Sequence, residues 1–306
     1  MEILIAALGP GLRTASPILL ASLGGIFTQR AGIFNIALEG YMLVGAFAAV
    51  VAASATGSAL VGVVAAVVVV SLLALLMGFI VIELAADVIV IGIAVNLLAA
   101  ALTSFLLQSI TGGAAFLRVP VGIPDVSLDA IAGVPIVGPL FASQGILVFV
   151  SLLLVPVVGA IFARTSLGLR LRAVGERPDA AISSGVDVRR VRYVAFLLCG
   201  ALCGLAGAQL SLGLLALFSF NMTAGRGIIA FAAVVFGAAQ ARWVAIAALI
   251  FGFADAVANR MQTLGLPVQF VVMTPYVLTI AVLLAAAVPW RRLVEGQRRS
   301  KPRPAT

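Results

Sequence analysis

Apolar runs of about 20 residues, each long enough to cross roughly 30 Å of hydrocarbon, recur from one end of this 306-residue chain to the other. Such a run admits few folds, because every backbone N–H and C=O inside lipid must find a partner within the protein. Helices do so locally. A closed barrel would instead show ten-residue segments of alternating polarity, and these runs are continuous. The composition agrees: 63% of the residues are hydrophobic and 10% charged, against about half and a quarter in soluble domains. Mean hydropathy is +1.24. Reading runs against breaks gives spans near 12–29, 31–54, 58–82, 88–110, 144–163, 191–213, 227–240, 243–262 and 269–290. The expectation is an all-α polytopic membrane protein, a bundle of about nine transmembrane helices (range eight to ten) in one domain, 1–306.

Several chemistries are excluded by what is missing. With no histidine, a Ser-His-Asp triad, an H-E-x-x-H zinc site and a haem histidine are all impossible. The only lysine, Lys301, lies in the tail, so no G-x-x-x-x-G-K-[ST] phosphate loop exists. If ATP drives this protein, another chain binds it, and this chain needs no cofactor of its own. Cys199 and Cys203, one helical turn apart in an apolar run, read as small buried hydrophobes. The start, "MEILIAALGPGLR", lacks the basic region of a secretory signal, and Gly9-Pro10-Gly11 is expected to break it.

Arginine and lysine set the orientation. One set of connections carries fifteen of the nineteen: Arg30, seven between Arg164 and Arg192, Arg242, and six from Arg291 to Arg303. The opposite set carries Arg13, Arg118, Arg226 and Arg260. This places the 164–190 loop and the basic tail, 291–306, in the cytoplasm, with the N-terminus and the 111–143 loop outside. The net charge of +8 is mostly this topology signal plus attraction to anionic lipid headgroups. It implies no nucleic-acid partner, which would require a folded basic face. Residues 111–143, rich in Gly and Pro yet apolar, read as an external cap or re-entrant piece.

The cytoplasmic loop contains "ERPDAAISSG". Pro178 suits a first helical position, Glu176 and Asp179 sit at the positive end of a helix, and Gly185 suits its C-terminal cap. Two turns are unstable alone in water, so this helix must pack on something, and no other element on that side is large enough to dock a partner.

Asp179-Ala180-Ala181, followed after three residues by Gly185, resembles the E-A-A-x-x-x-G core of ABC importer permeases. Aspartate replaces the glutamate, and the distal I-x-L-P part is missing. The wider "LRAVGERPDAAISSGV" resembles the same loop in permeases for nucleosides, simple sugars and branched-chain amino acids. "GGIFTQRAGIFNIALEGYMLVGAF" resembles the first-to-second-span signature of the nucleoside/simple-sugar branch, and "GRGIIAFAAVVFGAAQARWVAIAALIFGFADAV" its seventh and eighth spans. The resemblance implies a permease domain in a bacterial inner membrane, non-catalytic, forming a pathway with a second and different permease. It further implies partner ATPases that use ATP and Mg, and an extracytoplasmic binding lipoprotein. Glu176, Arg177, Pro178, Asp179, Ala180, Ala181 and Gly185 would then form the ATPase-coupling element. Nucleosides are the expected solute, with simple sugars and then branched-chain amino acids as alternatives. A self-contained secondary transporter is the competing class, since its broken helices would also give Gly-interrupted polar spans. It would not need the basic, helix-bearing loop.

Within "AGIFNIALEG", Asn35 and Glu39 are four apart and would share one face of a helix. Glu39 lies nine residues past Arg30, some 13 Å of helix rise, and a lone carboxylate at such depth is costly unless it faces the bundle interior or a wet cavity. Gly32 and Gly40 permit a broken start to the second span. Either Glu39 satisfies backbone N–H groups at that break or pairs with Arg30, or Asn35 and Glu39 line the pathway. Asn96 and Gln108 on the fourth span line the pathway or bond a neighbouring helix. Asp255 and Asn259, again i,i+4, with Arg260 beside them, suggest an internal ion pair. Phe218, Phe220 and Asn221 precede Gly225-Arg226-Gly227 at an external junction where an aromatic could stack on a base or sugar, or else face lipid. Gly200, Gly204 and Gly207 form a small-residue packing face.

Overall fold

The computed structural model describes residues 2–127 and 143–262, with side chains for 9–126 and 144–257. Its contacts divide the chain into two units, Met1–Phe253 and Ala254–Thr306. Of the second, only the helical stretch 254–262 is described. The expected last span, the basic tail and Arg260 with its ion pair lie outside the described side chains.

In chain order the helices are α1 (Glu2–Arg30), α2 (Leu38–Thr56), α3 (Ala59–Glu83) and α4 (Val88–Thr111), then α5 (Ile146–Arg164), α6 (Ser166–Glu176), α7 (Pro178–Ser183) and α8 (Val188–Ala208). α9 (Arg226–Phe236) and α10 (Ala241–Gln262) follow. The last turns of the α8 span, Gln209–Leu215, are π-helical. Five described stretches are long and apolar enough to cross a membrane: α2, α3, α4, α5 and Val188–Leu215. The chain is an all-α, multi-pass membrane protein.

Four short strands, β1 (Phe116–Arg118), β2 (Asp125–Ser127), β3 (Ser143–Gly145) and β4 (Leu217–Ser219), form two antiparallel pairs, β1 with β4 and β2 with β3. The described part of the 111–143 loop is thus stitched to the bundle rather than free. Val119 N–H donates to the Ala216 carbonyl at 3.0 Å. Arg13 pairs with Asp125 at 2.6 Å, and Gln144 bonds both Arg13 and the Gly9 carbonyl.

α8 lies at the centre, packed on α1, α2 and α3. Its small face permits this. A Cβ added to Gly207 would stand 2.4 Å from the Met42 carbonyl oxygen, and one added to Gly204 would stand 2.7 Å from that of Ala66. The outer faces of α3 and α4, with Leu72, Leu76, Leu97 and Phe105 exposed, are apolar because lipid or another subunit, not water, is their solvent.

The expected break at Gly9-Pro10-Gly11 does not occur. α1 runs unbroken through Pro10 and Pro17. A proline removes one hydrogen bond, whereas unwinding in an apolar surround would strand several, and Thr14 Oγ1 donates to the Pro10 carbonyl at 2.9 Å. Gly11 also lets the ring of Phe253 approach where a Cβ would stand, 2.3 Å from its Cδ1.

Candidate functional site

Two helix starts meet inside the bundle. α1 closes at Gly32 (φ +79°), where Ile33 N–H reaches back to the Thr28 carbonyl at 2.9 Å; this is a glycine-terminated C-cap. Residues 33–36 are irregular, and α2 begins only at Leu38. Asn35 therefore does not share a helix face with Glu39, because residues 33–36 are not helical. Sequence spacing assumed a helix where the cap at Gly32 had already ended one.

The irregular stretch runs alongside α9. Arg30, before it, donates from Nε to the Ala239 carbonyl at 2.9 Å and from Nη2 to that of Ala238 at 3.3 Å, just past the end of α9. Glu39, after it, accepts from the first N–H groups of α9: Gly225 to Oε1 at 2.8 Å and Gly227 to Oε2 at 2.6 Å. The chain from Arg30 to Glu39 thus traverses the length of α9, about 16 Å for its 11 residues. Glu39 clasps the N-terminus of a second helix rather than its own, and Arg30 is not its partner.

The chemistry explains why an acid stands here. A helix start leaves N–H groups without intrahelical partners and carries a partial positive charge. Those of α9 are met by a half-buried carboxylate. Asn96 of α4 serves α2 in the same way. Its Oδ1 accepts from Gly40 N–H at 2.7 Å and its Nδ2 donates to the Ile36 carbonyl at 3.1 Å. Asn35, buried, accepts from Ala37 N–H at 3.0 Å and donates to Cys199 Sγ at 3.6 Å. The clasp requires Gly227, since a Cβ there would stand 2.4 Å from both Cα and N of Glu39.

The aromatic candidates separate. Phe218 is fully buried, edge-on to Phe47 at 5.2 Å between ring centroids, and is a core residue rather than an exposed stacking surface. Phe220 is 65% exposed, beside Asn221, which adopts a left-handed φ of +49°. Gln108 is exposed.

Phe34 and Gln209 carry features that residue spacing does not reveal. Phe34, in the irregular stretch, is 48% exposed and edge-on to Phe231 of α9 at 6.2 Å. Gln209 is fully buried where α8 turns π-helical. Its Nε2 donates to Ser16 Oγ at 3.1 Å, and its Oε1 has no partner among the described residues. π-Helical turns recur at functional sites, but only the backbone reveals one.

At the Arg30 end, α6 and α7 form a two-helix element. α7 has proline at its start, and Gly185 (φ +78°) follows its cap, with Val186 N–H donating to the Ala181 carbonyl at 3.0 Å. Ala181 is buried against its own chain, 4% exposed, whereas Ile182 is 59% exposed. Glu176, Arg177, Asp179 and Ala180 are also exposed, and Pro178 is half-buried. On α7, Asp179, Ala180 and Ile182 are thus exposed, and Ala181 is the inward anchor. α6 carries α7. It seats on the α1–α2 junction through Gly175, where a Cβ would stand 2.2 Å from the Arg30 carbonyl oxygen and 2.9 Å from Gly32 N.

A family model described as branched-chain amino acid transport system / permease component matches residues 8–287. The chain belongs to that permease family. Over 286 residues, covering 88% of each chain, it is 33% identical to the guanosine ABC transporter permease protein NupQ of Bacillus subtilis. It is 34% identical over 289 residues, again 88% of each chain, to the nucleoside ABC transporter permease protein NupC of Lactococcus lactis. It is 32% identical over 313 residues, 94% of this chain and 93% of the relative, to the putative glucose ABC transporter permease protein TsgC13 of Haloferax volcanii. A second guanosine permease protein of Bacillus subtilis, NupP, is 27% identical over 317 residues, 96% of this chain and 84% of the relative. No solved structure matches the chain. In this permease the polar residues at the α2 and α9 starts complete a broken backbone, which is tolerated at such depth only inside protein or beside a cavity.

Proposed function

We propose that this permease is one membrane subunit of an ATP-driven ABC importer whose solute is a nucleoside. The observation that carries the reading is near full-length similarity to NupQ and NupC, whose names specify guanosine and nucleosides. Similarity to both NupQ and NupP supports pairing with a second, different permease. A simple sugar is the second reading, favoured by the similarity to TsgC13.

In this reading a partner ATPase binds Mg-ATP and docks on Asp179, Ala180 and Ile182, and a binding lipoprotein delivers solute at the β-strand end. The arginine bias supports an inner-membrane orientation with the α6–α7 element inside and the N-terminus outside. Motion of α7 passes to α6 and, through backbone contact at Gly175, to the junction at Arg30–Gly32. The irregular stretch and the Glu39 clasp are the next elements along the chain. Because both helix starts are held by side chains rather than by continuous helix, they can shift without unwinding a span. Phe34, in the irregular stretch, and Phe220, a few residues before α9, are the exposed aromatics of this region that would meet a base.

The test is uptake of radiolabelled guanosine, uridine, ribose, glucose and leucine by cells with and without this permease. Loss confined to the nucleosides is expected. Retained nucleoside uptake with lost sugar uptake would overturn the nucleoside assignment. Saturable ATP hydrolysis by the purified chain alone would overturn the division of labour.

A further inference from the structure

At the Arg30 end, a pocket of about 450 Å³ opens between the end of α1, the last turn of α5, α6 and the turn into α10. Three arginines line it, Arg30, Arg172 and Arg242, together with Gln240. They come from three separate elements, so the pocket is assembled by the fold and is not a basic run in the sequence. Among the described residues none of the three is in a salt bridge. Arg30 lies within electrostatic reach of Arg172, and of one acid, Glu176.

The bonds these arginines do make orient them without neutralising them. Arg30 is pinned to the carbonyls of residues 238 and 239. Arg172 Nε donates to the Gly168 carbonyl at 3.4 Å, and Arg242 stacks over Trp243 with its Cζ 4.8 Å from the ring centroid. The Nη groups of Arg172 and Arg242 have no hydrogen-bond acceptor among the described residues. Phe162 and Ala163, from the last turn of α5, make one wall apolar. The pocket therefore joins a cationic mouth to the end of a membrane-crossing helix.

We propose that this pocket binds a phosphate ester, with the three arginines as its ligands. Guanidiniums match phosphate oxygens in charge and fork geometry. Basic pockets between spanning helices on the cytoplasmic side are suited to anionic headgroups. The same chemistry admits two sources, the headgroup of an anionic glycerophospholipid from the leaflet or a soluble phosphate from the aqueous side. An occupant would tie α6, and with it α7, to the turn between α9 and α10. The proposal does not depend on which solute the permease carries.

The experiment uses the full chain in detergent, examined by native mass spectrometry with phosphatidylglycerol and phosphatidylcholine in competition, and separately by thermal melting with inorganic phosphate. Retention of phosphatidylglycerol over phosphatidylcholine is expected, falling roughly fivefold for each guanidinium removed in Arg172→Gln and Arg242→Gln. Arg170→Gln, an exposed arginine of the same helix outside the pocket lining, should leave retention unchanged. If lipid is not selected but phosphate raises the melting temperature of the parent and not of the double variant, the site stands with a soluble source. Should the double variant fail to fold, the single variants carry the test. Equal retention by parent and pocket variants with no phosphate response overturns the proposal. So does an equal fall for Arg170→Gln, which would indicate general surface attraction.

Discussion

Replacing Glu39 by glutamine keeps the side chain's shape and removes what the α9 start uses. The carboxylate offers one oxygen to Gly225 N–H at 2.8 Å and the other to Gly227 N–H at 2.6 Å. The amide keeps one acceptor and turns an NH2 against the other N–H, so one donor is left facing another donor. A hydrogen bond to a charged group contributes roughly 1.5–3 kcal/mol. A charge at a helix N-terminus adds roughly 0.3–2 kcal/mol, depending on burial. Glu39 is half-buried, so Glu39→Gln should cost about 2–4 kcal/mol. At about 2–4 °C per kcal/mol for larger domains, that lowers the melting temperature by roughly 5–15 °C. Thermal melting in detergent, followed alongside guanosine uptake in reconstituted vesicles, reads both consequences. Stability and transport should fall together, and Glu39→Asp, too short to reach both N–H groups, should fall further. If Glu39→Gln melts with the parent but loses transport, Glu39 contacts solute or gates the pathway, and the clasp reasoning is refuted.

Gly227→Ala makes the same lesion from the other side, since its Cβ would stand 2.4 Å from Glu39 Cα; a melting temperature as low as that of Glu39→Gln is expected, and an unchanged one would mean that the two helix starts are not in contact. Gly175→Ala drives a methyl to 2.2 Å from the Arg30 carbonyl oxygen and should lower transport per ATP hydrolysed by the assembled importer, while an unchanged ratio would remove the α6 contact from the coupling route. Ile182→Glu should leave melting within about 0.5 kcal/mol of the parent, as for exposed sites, and release the ATPase on co-purification, whereas Ala181→Glu should destabilise because Ala181 is buried. A Cβ at Gly185 would meet no atom within 4 Å, so the left-handed backbone should dominate the cost of Gly185→Val, roughly 1–2 kcal/mol, and a much larger loss of stability would show that the cap is packed.

Much of the helix layout was legible because the chain has one solvent problem to solve along its whole length. A run such as Ala59–Glu83 has no alternative to a helix in hydrocarbon, so its limits follow from where polar residues and glycines interrupt it. The α7 helix was legible for a different reason, since Pro178 and Gly185 mark its ends by local backbone preference. Glu39 was conspicuous as a carboxylate in an apolar run, and both scaffold and pathway roles were open to it. Its partners were not legible: Gly225 and Gly227 lie 186 and 188 residues downstream, and their N–H groups carry no signature distinguishing them from any other helix start. The π-helical turn at Gln209 was hidden likewise, because it is a backbone arrangement set by packing on α1 and α2.

From sequence alone came the membrane class, the arginine asymmetry, the missing phosphate loop and the presence of polar residues that the bilayer would not tolerate without partners. Tertiary structure decided which groups those partners are. It paired Glu39 with α9, Asn96 with the start of α2 and Gly175 with Arg30, turned Ala181 inward and Ile182 outward, and gathered Arg30, Arg172 and Arg242 around one pocket. Burial preference is local and composition expresses it directly. Hydrogen-bond partnership and charge clustering depend on distances between remote segments, which are set only when the helices pack.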